Sequence, residues 1–83
     1  MTEQTAEIRV IINSLNELQA DATVPRNVRA KIESVINTLK EDIELSVKVS
    51  RALSGLDETA NDVNLQSYTR TQIWSAMSLL EKF

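Results

Sequence analysis

The residues best placed to do chemistry in this chain are two Asp/Arg pairs, Asp21 with Arg29 and Asp62 with Arg70, the members of each pair eight positions apart. A loop carboxylate can accept hydrogen bonds from free amides at the start of the next helix, and an arginine two turns in can reach back to loop carbonyls or to that carboxylate. That use is structural. A sharper use makes the arginines ligands for phosphate or carboxylate, and two pseudo-symmetric sites would be its signature. Arg26, Arg29 and Lys31 also gather at one helix start, where cations oppose the helix dipole. With Arg70 they form a candidate anion contact, and Tyr68 or Trp74 would supply stacking surfaces for RNA.

Other chemistry finds little material. The chain has no His and no Cys, which removes the commonest general base, the thiolate nucleophile and the usual zinc ligands. A di-iron bundle needs inward Glu-x-x-His pairs, and a phosphate loop needs more than the single Gly55. The acids Glu41, Asp42, Glu44, Asp57, Glu58 and Asp62 fall near helix ends or on outer faces, which reads as solvated surface. We therefore expect no enzyme activity, no cofactor and no metal.

The 83 residues carry 12 acidic and 9 basic side chains, a net charge of −3, so the molecule as a whole repels a phosphate backbone and any RNA role needs a local basic patch. The first residues are polar and acidic, the reverse of an export signal, and no run approaches the ~20 apolar residues of a membrane span. Lack of cysteine agrees with a reducing interior. The expected location is cytoplasmic.

The elements that position the Asp/Arg pairs repeat. Asp21–Leu39 returns 41 positions later as Asp62–Leu80, and sliding the chain by that offset matches Leu15/Leu56, Glu17/Glu58, Asp21/Asp62, Arg29/Arg70, Ile32/Ile73, Ser34/Ser75 and Leu39/Leu80. Chance would give roughly two identities. Two copies of one helix-loop-helix hairpin are expected, about residues 3–39 and 43–82, in a single domain spanning 1–83. With one proline, one glycine and an aliphatic composition, the fold class is all-α: a four-helix up-and-down bundle built from the two hairpins.

Helix periodicity places the first helix at about 3–20, with Thr2 as N-cap, Glu3 and Glu7 near the positive end of the dipole, and Ile8, Ile11, Ile12, Leu15 and Leu18 in one buried stripe. The second runs from near Pro25 to Leu39, with Thr23 or Asp21 accepting from its free amides and Val28, Ile32, Val35, Ile36 and Leu39 inward. The third spans about 43–61, capped by Asp42, burying Leu45, Val49, Ala52, Leu53, Leu56 and Ala60. Ile43 and Val47 lie off that stripe, as Val10 does in the first helix. Gly55 costs roughly 1 kcal/mol in mid-helix, so a close neighbouring helix is its expected use. The fourth, about 67–82, turns Ile73, Met77 and Leu80 inward, with Ala76 and Phe83 at the margin.

The stretch Asp21-Ala22-Thr23-Val24-Pro25-Arg26-Asn27-Val28-Arg29, together with Arg70-Thr71-Gln72-Ile73-Trp74, resembles a family of small archaeal proteins known only as an uncharacterised protein family. The likeness covers nearly the whole chain and implies a compact four-helix bundle, archaeal and cytoplasmic, with no assigned activity and no functional residues to carry over. A weaker resemblance is to HEAT-type helical repeats, which also place an Asp in the turn and an Arg on the second helix. Two units are too few for an open solenoid, so closure into a bundle is expected.

The copies differ most on the last helix. Where the first has Asn27, Glu33 and Thr38, the second has Tyr68, Trp74 and Leu79. On a helical wheel Tyr68 and Leu79 sit together roughly 220–240° from Ile73, away from the inner stripe, with Trp74 at about 100°. Apolar replacement in one copy marks Tyr68, Trp74 and Leu79 as a candidate partner surface. The expected function is a non-enzymatic protein-interaction or assembly module, with an unidentified protein partner or a homodimer through helix 4, and with neither membrane nor nucleic acid as the primary partner. The alternative is an RNA- or ribonucleoprotein-associated accessory protein using the local basic patch.

Overall fold

The computed structural model describes residues 3–83, with side chains from residue 6 onward. Four helices follow one another: α1 (Glu3–Gln19), α2 (Arg26–Lys40), α3 (Leu45–Ala60) and α4 (Ser67–Leu80), and no strand occurs among the described residues. Each helix packs on its chain neighbours, α1 also packs on α4, and the diagonal pairs stay apart, so the four close into a ring. Short connections make successive helices antiparallel. Both Asp-bearing loops, residues 20–25 and 61–66, therefore lie at one end. The molecule is 36 × 19 × 19 Å, about two helix diameters across, and its loops add to the length of the helices, which is about 21–26 Å.

The inward stripes follow the periodicity except that on α4 Ala76 is buried and Met77 lies at the margin, the reverse of the expectation, and Ile12, Leu45 and Leu53 sit on the flanks of their stripes. Ile8, Ile11, Leu15 and Leu18 of α1, all of Val28, Ile32, Val35, Ile36 and Leu39 of α2, Val49, Ala52, Leu56 and Ala60 of α3, and Ile73, Ala76 and Leu80 of α4 are buried. Val24 and Leu65, one in each long loop, are buried with them. Ile12, Leu45, Leu53, Met77, Leu79 and Phe83 pack half-buried around this core. Val10 and Val47 face solvent as expected. The fully buried core is aliphatic, and its stabilisation comes from many side chains at about 1.5–3 kcal/mol each.

Gly55 has the expected use. A Cβ built there would meet Val35 Cγ2 at 2.7 Å, so the missing side chain is what lets α3 approach α2. Two buried threonines, Thr59 and Thr69, escaped the apolar pattern. Thr59 Oγ1 donates to Gly55 O at 2.8 Å, and this bond within its own helix removes the cost of burying the hydroxyl.

The helix starts differ from expectation. Pro25 itself caps α2 and no side chain accepts from that helix's free amides. Likewise Glu44, rather than Asp42, caps α3, which begins at Leu45 and leaves Ile43 in the connection; here too no side-chain cap bond forms. In both cases an extended cap residue (ψ 147° and 140°) supplies the first helical carbonyl, seen as Arg29 N–H donating to Pro25 O and Lys48 N–H to Glu44 O, each at 2.9 Å. At the other end α4 stops at Leu80, two residues before Lys82. Thr2 lies outside the described residues.

Candidate functional site

The loop aspartates do not cap the following helices. Asp21 Oδ1 accepts from both Thr23 N–H (2.9 Å) and Thr23 Oγ1 (2.7 Å), and Asp62 Oδ1 accepts from Asn64 N–H at 2.8 Å. Each carboxylate closes its own loop as an Asx-turn, because a short side chain finds the amide two residues on before it can reach a helix start. The Thr23 hydroxyl, then its main-chain N–H, holds the Asp21 carboxyl below the usual carboxylate range. Asp62 is lowered too, first by Asn64 N–H and then by Asn27, whose Nδ2 donates to Asp62 Oδ2 at 2.9 Å.

The main-chain bonds of the two loops correspond at the 41-residue offset. Ala20 N–H donates to Asn16 O and Asn61 N–H to Asp57 O; Asp21 to Leu18 and Asp62 to Thr59; Val24 to Asp21 and Leu65 to Asp62; Arg29 to Pro25 and Arg70 to Gln66. The arginine side chains then diverge. Arg70 reaches back as expected, Nε donating to Ala60 O at 2.9 Å and Nη2 to Asp62 O at 3.0 Å. Arg29 does not: its Nε is buried and without a partner, and no hydrogen bond or ion pair forms from its guanidinium among the described residues. Arg29 with Arg26, Gln19, Ala30 and Glu33 lines an open cleft of about 330 Å³ along the α1–α2 seam.

Two of the four cations of the expected anion contact are thus engaged within the fold. Lys31 Nζ lies 3.3 Å from Glu58 Oε2, an ion pair across to α3, and Arg70 is engaged by loop carbonyls. Arg26 and Arg29 are what remain. Arg29 and Arg70 are not matched either, since among the described residues Arg70 has acceptors and Arg29 Nε has none. The acidic residues of the helix ends form no group of three or more able to hold a cation among the described residues.

On α4, Tyr68 is 67% and Trp74 53% exposed, large apolar surface for a chain with three aromatic residues. Leu79 departs from its expected place. It packs half-buried against the core and, with Glu7, Val10 and Lys82, lines a cleft of about 270 Å³ on the α1–α4 seam. The narrow stripe of α4 (Ile73, Ala76, Leu80) leaves room for the adjoining α1 to cover Leu79 on its flank, which a wheel centred on Ile73 alone does not show. A third cleft, of about 330 Å³, opens on α3 between Leu45, Ser46, Val49, Ser50, Leu53 and Phe83. Its signal in the sequence is the Ser46/Ser50 pair flanking the apolar stripe. No helix among the described residues is long and apolar enough to cross a membrane.

A ring of four helices around an aliphatic core, with its polar hydrogen bonding concentrated in two Asp-turn loops, defines a small all-α protein. The chain belongs to the uncharacterised protein family UPF0147, whose family model matches residues 1–83. It is 43% identical over 84 residues to the UPF0147 protein MJ1419 of Methanocaldococcus jannaschii, covering 98% of this chain and 90% of that one. A UPF0147 protein of Methanosarcina acetivorans is 35% identical over 75 residues, covering 89% and 77%. Among solved structures, the crystal structure of the unknown-function protein MMP1188 superimposes with a TM-score of 0.88 at 40% identity, over 93% of this chain and 89% of the other.

Proposed function

We propose that the chain is a cytoplasmic, non-enzymatic assembly module, a duplicated helical hairpin whose second copy has acquired a surface for another protein. The observation that carries this reading is the exposure of Tyr68 and Trp74 at the positions where the first copy exposes Asn27 and Glu33. The exposed part of such an aromatic adds nothing to the core and loses free energy to hydration until it is covered. The matched loop hydrogen bonds support the duplication. The absence of His and Cys from the sequence supports a non-catalytic role. A second copy of the chain is the first partner to test.

The experiment is sedimentation over a wide concentration range for the wild type, Trp74→Glu and Tyr68→Glu. The expected result is reversible self-association weakened by either change. A wild type that stays monomeric throughout, with the same protein partners recovered from its native cell by wild type and variants, overturns the reading. The RNA-associated alternative rests on fewer cations than the sequence offered, since Lys31 and Arg70 have partners within the fold.

A further inference from the structure

We infer that the α1–α2 cleft containing Arg29 is a binding site for a small oxyanion, a phosphate or carboxylate group held by Arg26 and Arg29. This inference stands apart from the partner surface on α4. It begins with the contrast between Arg29 and Arg70. The two loops present their carbonyls through corresponding main-chain bonds, and Arg70 takes two of those carbonyls, Ala60 O and Asp62 O. The equivalent carbonyls for Arg29 belong to Gln19 and Asp21, and Arg29 takes neither; its Nε is buried with no acceptor at all. Leaving a charged donor buried and unpaired is costly, and a turn of the partly exposed Arg29 side chain that brings this N–H to an acceptor in the cleft recovers the cost.

The surroundings define the acceptor. Arg26, one turn before Arg29 on the same face, has no ion-pair partner among the described residues, and Gln19 brings an amide from the end of α1. Two guanidinium forks and an amide suit a planar or tetrahedral oxyanion, which can accept several N–H bonds at once. Glu33, one turn beyond Arg29, is the only negative wall of the cleft. It restricts the anionic head to the Arg26 end and favours a hydroxyl or ammonium on the rest of the ligand. Asp21 Oδ1 is taken by Thr23, and among the described residues no carboxylate lies within ion-pair distance of Arg26 or Arg29. A volume of about 330 Å³ takes a small metabolite-sized molecule and leaves no room for a folded domain.

The test is nuclear magnetic resonance of the arginine Nε–H groups during titration with inorganic phosphate and, separately, succinate, each against sodium chloride at matched ionic strength. The expected result is saturable movement of the Arg26 and Arg29 signals with Arg70 unmoved, and at least ~10-fold weaker binding in Arg26→Gln and in Arg29→Gln. Preference for phosphate or for succinate tells a phosphoryl from a carboxylate head. Arg26 is exposed, so Arg26→Gln stays informative even if Arg29→Gln disturbs the fold. Shifts that never saturate, that sodium chloride reproduces, that appear equally at Arg70, or that survive Arg26→Gln overturn the inference.

Discussion

Asn27 Nδ2 donates to Asp62 Oδ2 across 2.9 Å, joining the first turn of α2 to the loop between α3 and α4. One turn further along, Lys31 pairs with Glu58 on α3. These two contacts fasten the first hairpin to the second at the end of the ring where both Asp-turn loops lie.

The Asn27 contact has a titration signature. Both Asp21 and Asp62 are held below the ordinary aspartate value in the folded state, so each binds protons less readily folded than unfolded. Their stabilisation is therefore present above the unfolded value of about 3.9 and lost as pH falls through the lower folded value. Carboxyl shifts followed by nuclear magnetic resonance should show Asn27→Ala raising the Asp62 midpoint while leaving Asp21 unchanged, and Thr23→Val doing the reverse. Asp62 should remain somewhat depressed in Asn27→Ala, because Asn64 N–H, the larger cause, persists. A midpoint unchanged in both variants would contradict the assigned hydrogen bonds.

The two arginines should respond differently to the same substitution. Arg70→Met removes two bonds to main-chain carbonyls at the end of α3 and should cost about 1–3 kcal/mol by urea denaturation. Arg29→Met keeps the apolar stem and removes no hydrogen bond, so a loss below about 1 kcal/mol is expected. Equal losses would place Arg29 in the same structural role as Arg70.

How far the sequence foretold these features depended on the physical range of each interaction. Burial of Ile32 and Ile73 follows from helical period alone, because the transfer of an aliphatic side chain from water is additive and indifferent to detail. Gly55 was legible for the same reason, an element so unfavourable in mid-helix that only close packing explains it. The Asp/Arg pairs were visible as residues, but their partners were not. Asp21 chose the amide two positions on over a helix start, and Arg29 and Arg70 share a spacing yet differ in orientation. Such choices turn on directions of a few ångströms that spacing does not encode. Leu79 was misplaced because its cover comes from α1, a neighbour that the wheel of α4 does not contain.

The stripe assignment yields a direct comparison. Ile32 and Ile73, 41 positions apart, are both 0% exposed, and truncation of either to Ala should cost about 2–5 kcal/mol. Glu33→Ala, adjacent in sequence and exposed, should change stability by less than about 0.5 kcal/mol. Urea denaturation of the three variants decides it, and a silent Ile73→Ala would remove α4 from the core.

Gly55→Ala sets helix propensity against space. Alanine gains about 1 kcal/mol as a helix former, but its Cβ would lie 2.7 Å from Val35 Cγ2. A β-branched side chain buried on α2 has no alternative rotamer to yield into, and overpacking costs about 1–3 kcal/mol. A net loss near 1 kcal/mol is expected. Val35→Ala empties the contested volume, so in the double variant Gly55→Ala should turn from destabilising to stabilising. A gain from Gly55→Ala alone in thermal denaturation would mean that α2 and α3 have more room between them than the 2.7 Å contact allows.

Trp74 gives the last test, because it is the sole tryptophan and sits half in water. A buried tryptophan costs about 3–5 kcal/mol when cut to alanine, whereas Trp74→Ala should cost under about 1 kcal/mol, since more than half its surface contributes nothing to the fold. Its native fluorescence should be red-shifted relative to a core tryptophan and open to quenching by acrylamide. Denaturation and quenching measure the same quantity independently, the share of the indole that the fold covers. A blue, unquenched emission together with a loss above about 3 kcal/mol would seat Trp74 in the core and leave α4 with Tyr68 as its one large exposed aromatic.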